Sequence, residues 1–79
     1  MSYYLVLLAV PINDMKEWGK VNEIADRIDS RSTGAGTGFG SRDIDWERES
    51  RDEAVGLKMA LLTEFRKEGF KPKVQIIKR

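Results

Sequence analysis

The chain has 79 residues, a net charge of +1, 41% hydrophobic residues and neither cysteine nor histidine. A chain of this length holds one hydrophobic core, so we expect a single domain over residues 1–79. Without His or Cys it lacks the commonest general base near neutral pH, the thiolate nucleophile and every Cys/His zinc pattern, which excludes most catalytic and zinc-dependent classes.

The longest apolar run extends from Tyr3 to Val10 and ends at Pro11, which predicts the central strand of a sheet. This run is far shorter than the roughly 18 residues that cross a bilayer. The residues before it carry no basic side chain, unlike the start of a signal peptide. We therefore expect a cytoplasmic protein without a membrane segment, and the lack of cysteine is compatible with that compartment.

The first helix is predicted to begin at Asn13 and Asp14, which are both favoured N-cap residues. Glu17 follows Asp14 by three residues, where the carboxylate of a capping box lies. The apolar positions follow a helical period and predict the face that packs on the sheet; they are Val21, Ile24, Ala25 and Ile28.

A glycine-rich segment from Ser30 to Gly40 follows this helix. Its glycines fit neither the dinucleotide-binding pattern G-x-G-x-x-G nor the phosphate-binding pattern of P-loop proteins. We interpret them as positions that let Trp46 or a helix pack closely, or that let a strand bend.

Residues 42–48 alternate between apolar and charged side chains, which predicts a strand. Ile44 and Trp46 share one face, and the other face carries the carboxylates of Asp43, Asp45 and Glu47. Such carboxylates, about 6 to 7 Å apart along a strand, can ligate Mg²⁺ or Ca²⁺. The solvent face of a half-buried strand explains them as well, and we adopt that interpretation. No metal or small-molecule cofactor is therefore expected.

The second helix is predicted from Ser50 to Glu68, because Ser50 and Glu53 form a complete S-x-x-E capping box. Gly69 fits the left-handed position that follows a helix, and Pro72 prevents continuation. The apolar face of this helix consists of Ala54, Leu57, Leu61 and Phe65.

The chain closes on a strand in which Val74 and Ile76 alternate with polar side chains. This end of the chain is basic: residues 66–79 carry six basic side chains against one acidic, a net charge of +5. Residues 1–65 carry eight basic and twelve acidic side chains, a net charge of −4.

The predicted order is thus β-α-(Gly-rich)-β-α-β. If the glycine-rich segment forms a strand paired with residues 42–48, the order becomes βαββαβ, which is that of the ferredoxin-like arrangement. We predict this two-layer α+β sandwich, with two helices on one face of an antiparallel sheet. If the segment is only a loop, a three-stranded sheet with helices on one face remains.

Gly38, Phe39 and Gly40, which precede a strand, are similar to the middle of the first RNP signature of RRM domains. The sequence departs from that signature at Ser41, where a stacking aromatic belongs, and at Arg42, where a branched apolar residue belongs. The resemblance implies binding of single-stranded RNA or another nucleic acid, with help from the basic C-terminal strand. The candidate residues for this alternative are Phe39, Arg42, Lys71, Lys73, Lys78 and Arg79.

Because the helices cover only one face of the sheet, side chains of the first strand should emerge on the other. They come either from the set beginning at Tyr3 or from the set beginning at Tyr4. An apolar centre with a charged rim is typical of a protein interface. The candidate residues for binding a protein are Tyr4, Asp43, Asp45, Glu47, Lys73 and Ile77.

We therefore expect a small non-enzymatic interaction module, an adaptor or an inhibitor, by analogy with phage proteins that block host complexes. Its partner is another protein or a second copy of the chain in a homodimer. Two alternatives stay open at the level of sequence: the nucleic-acid binder, and a small dimeric ferredoxin-like enzyme that works without His or Cys.

Overall fold

The computed structural model describes residues 2–38 and 40–79. Six elements follow one another along the chain: β1 (Tyr4–Pro11), α1 (Met15–Ile28), β2 (Gly34–Gly38), β3 (Ser41–Arg48), α2 (Arg51–Lys67) and β4 (Lys73–Lys78). The predicted order βαββαβ is confirmed. The alternative with three strands is excluded, because the glycine-rich segment forms β2 and pairs with β3.

The four strands form one antiparallel sheet in the order β2-β3-β1-β4. As predicted, β1 is a central strand, in which Val6 pairs with Trp46 of β3 on one side and with Ile76 of β4 on the other. Both helices pack on the face to which these three side chains point. The predicted two-layer α+β sandwich is therefore confirmed.

The core lies between the helices and this covered face of the sheet. Its largest fully buried side chains are Trp46, Phe65, Leu8, Ile24, Leu61, Val6, Val10 and Val21. A buried indole still needs a partner for its N–H. The Nε1 of Trp46 donates to the backbone carbonyl of Asp29, 3.0 Å away, at the C-terminal end of α1. This hydrogen bond ties the first helix to β3.

Both predicted helix starts are confirmed by their hydrogen bonds. Asp14 Oδ1 accepts from the backbone N–H of Glu17 at 2.9 Å, and Glu17 Oε2 accepts from the backbone N–H of Asn13 at 3.2 Å. Ser50 Oγ accepts from the backbone N–H of Glu53 at 3.2 Å. These bonds satisfy N–H groups that have no partner within the helix.

The predicted end of α2 is also confirmed. Gly69 has φ of +88°, the left-handed conformation that a residue without a Cβ adopts at least cost. The N–H of Phe70 donates to the carbonyl of Phe65 at 3.0 Å, and the two rings meet edge to face with centroids 6.0 Å apart. This reversal directs the chain into β4.

Candidate functional site: the open face of the sheet

The face of the sheet that no helix covers, called here the open face, has an apolar centre on β1. Alternation along β1 buries Val6 and Leu8 against the helices, so Leu5, Leu7 and Ala9 point the other way. All three are half-buried although no helix packs on them. They form a continuous stripe of apolar side chains along the central strand, called here the β1 stripe.

One side of the β1 stripe is acidic. Ile44 and Trp46 of β3 are buried on the covered face, with 5% and 0% of their surfaces exposed. Because side chains alternate along a strand, Asp43, Asp45 and Glu47 lie on the open face. The strand register places these carboxylates beside Ala9, Leu7 and Leu5 respectively. Asp43 and Glu47 are exposed, whereas Asp45 is half-buried.

The other side of the β1 stripe is formed by β4 and carries mixed chemistry. Lys73, Gln75 and Ile77 pair with Ala9, Leu7 and Leu5. Ile77 is one of the large hydrophobic side chains that solvent reaches, with 36% of its surface exposed. The open face therefore has a carboxylate row, an apolar row and a mixed row on adjacent strands.

The edge strand β2 contributes almost no side chains to the open face. Gly34 and Gly36 pair with Asp45 and Asp43, so they lie next to the carboxylate row. A Cβ placed on Gly36 would meet nothing within 4 Å. The interpretation that this glycine makes room for Trp46 or a helix is therefore wrong, because Trp46 points to the opposite face. These glycines line part of a shallow depression of about 400 Å³ that extends across the open face from β2 over β3 and β1 to Gln75 of β4.

The carboxylates of the depression keep unused acceptor capacity. Asp45 Oδ1 is buried from solvent and accepts no hydrogen bond from the described residues. It lies where a Gly34 side chain would begin. Asp43 Oδ1 accepts from the hydroxyl of Ser41 at 2.9 Å. Within residues 2–38 and 40–79, neither carboxylate forms an ion pair.

Asp29, at the end of α1 on the covered side, differs from Asp43 and Asp45 of the open face because it forms ion pairs. Its side chain is 8% exposed and accepts hydrogen bonds from the guanidinium groups of Arg31 and Arg48. Burial alone would raise the pKa of Asp29. The hydrogen bonds from the Arg31 backbone and side chain, with those from Arg48, outweigh burial and hold this pKa below its ordinary value. This cluster joins the end of α1 to β3.

The structure brings together five of the six residues predicted to bind a protein. Asp43, Asp45, Glu47, Lys73 and Ile77 all lie on the open face. The expectation that Tyr4 belongs to this set is wrong, because Tyr4 packs against the core on the covered face. The uniformly apolar run of β1 carries no alternation, so the pairing of Val6 with buried Trp46 was needed to decide which side chains emerge.

The residues predicted for nucleic-acid binding do not form one surface. Lys73 lies on the open face, whereas strand alternation places Lys78 on the covered face. Arg42 also lies on the covered side: its Nε donates to Asn22 Oδ1 at 2.8 Å, and its guanidinium stacks over Trp18 at 4.9 Å from the ring centroid. The remaining predicted residues are Lys71 in the loop before β4, Arg79 after β4, and Phe39, which lies outside the described residues.

The described part of the chain contains no group of three or more acidic side chains arranged to hold a metal ion. Neither of its helices has the length and apolar character that crossing a bilayer requires.

No protein-family model and no curated protein matches this chain. Among solved structures, the chain is similar to one named "De novo designed protein Foldit4", with a TM-score of 0.50 and 10% sequence identity. The match covers 96% of this chain and 94% of the designed chain. At this identity the likeness supports the fold alone and carries no information about function.

Proposed function

We propose that this domain is a non-enzymatic protein-interaction module that binds another protein through the open face of its sheet. The observation that carries the proposal is the β1 stripe of Leu5, Leu7 and Ala9, which lies uncovered beside a row of carboxylates. An apolar centre with a charged rim is the usual composition of a protein interface. The module acts in the cytoplasm as an adaptor or as an inhibitor of a larger complex.

The charge of the open face favours a different protein over a second copy of the chain. Within the strands, this face carries the carboxylates of Asp43, Asp45 and Glu47 against the single ammonium of Lys73. Two copies that packed these faces together would each bring a net negative charge to the contact. A partner with a basic surface complements the face and is drawn to it over a distance set by ionic strength.

The experiment compares two variants that each replace one apolar side chain. Leu7→Gln changes the centre of the open face, and Met59→Gln changes a side chain on α2 that is 57% exposed. Partners are captured from the native cell on each variant, and the binding of the purified partner is then measured. We expect Leu7→Gln to weaken binding at least about tenfold, as loss of an interface centre does, and Met59→Gln to bind like the wild type.

Circular dichroism and urea unfolding of both variants establish that the fold is intact. Retained binding by Leu7→Gln would show that the open face is not the binding surface, and loss of binding by Met59→Gln alone would place that surface on the helices; either result would overturn the proposal. Capture of nucleic acid with strong salt dependence would favour the nucleic-acid alternative. A homodimer that Leu7→Gln dissociates would show that a second copy occupies the face.

A further inference from the structure

The strand β2 forms an unprotected edge of the sheet. In the described chain it pairs with β3 alone, and the register is continuous from Gly34 with Asp45 to Gly38 with Ser41. The outward N–H and C=O groups of such a strand can pair with another chain, and natural edges usually carry lysine, proline or a bulge that prevents this. The sequence GAGTG of β2 has none of these. The opposite edge strand, β4, begins and ends with lysine.

A strand added beside β2 would have a clear path to the carboxylates of β3. Neighbouring strands lie about 4.8 Å apart, so the added strand would be roughly 9 to 10 Å from β3. Gly34 and Gly36 of the intervening β2 carry no side chain; the Asp45 carboxylate lies over Gly34, and the space over Gly36 is open. A lysine or arginine side chain of the added strand could therefore extend across β2 and bring its charged group to Asp45 or Asp43.

The state of these carboxylates indicates which charge the added strand should carry. Asp45 Oδ1 is buried and accepts no hydrogen bond from the described residues, and Asp43 accepts one from Ser41. Neither has a cationic partner in the described part of the chain. A charged donor that reaches them gains hydrogen bonds stronger than those between neutral groups.

We propose that an extended basic segment of a partner protein adds to β2 as a fifth strand. Its backbone pairs with the free edge, and basic side chains at alternate positions extend onto the open face: one crosses Gly36 to bind Asp43, and one binds the Asp45 carboxylate, which itself lies over Gly34. The backbone bonds supply affinity and the alternate side chains supply specificity. This inference rests on the proposed function, because it names the class of partner that the open face receives.

A second copy of this chain fits the edge less well. Antiparallel pairing of β2 with the β2 of another copy would place two glycine-rich strands side by side, with no cation between the two carboxylate rows. The carboxylates of both copies would remain without partners.

The experiment uses a synthetic peptide of alternating threonine and lysine, TKTKTKT, blocked at both ends. It is titrated into the isotope-labelled full chain and followed by NMR. We expect amide shifts concentrated in β2 and β3, and an affinity that falls with added salt. Replacement of lysine by glutamate in the peptide should abolish binding. Methylation of alternate backbone nitrogens, which removes strand pairing but keeps the charge, should do the same.

Variants of the chain test the carboxylates of β3 and the open space on β2 beside them. Asp43→Asn with Asp45→Asn should weaken peptide binding at least about tenfold, since both substitutions replace a charged hydrogen-bond acceptor by a neutral one. Gly36→Lys, which adds a cation where a Cβ meets nothing, should compete with the peptide for the same carboxylates. The matched control, Glu23→Gln on α1, should bind like the wild type.

Equal affinity for the N-methylated peptide, or unchanged binding by the Asp43/Asp45 variant, would overturn the proposal. A dimer that Gly36→Lys dissociates would show that a second copy pairs with the β2 edge, and would overturn the proposal as well.

The proposed function and the strand-addition proposal can fail independently of each other. If Leu7→Gln abolishes capture of the cellular partner while the lysine peptide does not bind, the open face is functional but strand addition is wrong. If the peptide binds while Leu7→Gln still captures the cellular partner, strand addition at β2 is supported and binding through the centre of the open face is wrong.

Discussion

Replacement of Leu61 by alanine tests whether α2 is the main core helix. Leu61 belongs to α2 and is fully buried in the core between this helix and the sheet. The change removes three carbon atoms, and at about 0.8 kcal/mol for each buried CH₂ the lost transfer free energy is roughly 2.4 kcal/mol. The cavity adds to this, and buried Leu→Ala changes span about 2 to 5 kcal/mol. We therefore expect Leu61→Ala to lower the free energy of unfolding by about 3 kcal/mol.

A loss of this size is a large part of the stability of a domain this small, for which about 4 to 12 kcal/mol is typical. It corresponds to a fall of roughly 12 to 24 °C in Tm. Urea unfolding followed by tryptophan fluorescence measures it, because Trp46 is buried in the same core. The control is Met59→Ala on the same helix, which should change stability by less than about 0.5 kcal/mol. A loss below about 1 kcal/mol for Leu61→Ala, or an equal loss in the control, would refute the assigned core face.

Two further predictions concern pH and backbone conformation. Because the pKa of Asp29 lies below its ordinary value of 3.8, its carboxylate contributes stability that is present above that pH and is lost as the pH falls through the folded-state pKa. Asp29→Asn should therefore lower stability at neutral pH and reduce the fall of the urea midpoint on acidification, measured from about pH 6 to about pH 2; an unchanged fall below the ordinary pKa would contradict this. Gly56→Ala, in α2 with open space around it, should stabilise by about 0.5 to 1 kcal/mol, whereas Gly69→Ala, at φ +88°, should destabilise by about 1 to 2 kcal/mol. Thermal melts compare the two glycine variants, and shifts of the same sign would contradict the assigned end of α2.

The open face was partly predictable from the sequence. The alternation of Ile44 and Trp46 with Asp43 and Asp45 fixes which side of β3 is buried, because successive side chains point to opposite faces. The depression above β2 was not predictable, since a glycine pattern fits a loop, a bend or a strand equally well. Only the pairing of Gly36 with Asp43 showed that Gly36 lies on the open face, where the space above it is empty.

Local sequence patterns suffice to specify the caps at Asp14 and Ser50, the reversal at Gly69 and the apolar faces of both helices. Each depends on residues within a few positions of one another, so short-range hydrogen bonds and periodicity suffice to specify it. The orientation of β1, in contrast, follows from its pairing with β3 and β4. An apolar run offers both of its faces for burial, and pairing of Val6 with Trp46 places Tyr4 on the covered face, against the core, and Leu7 on the open face. That choice depends on the register between strands about forty residues apart, which no local pattern encodes.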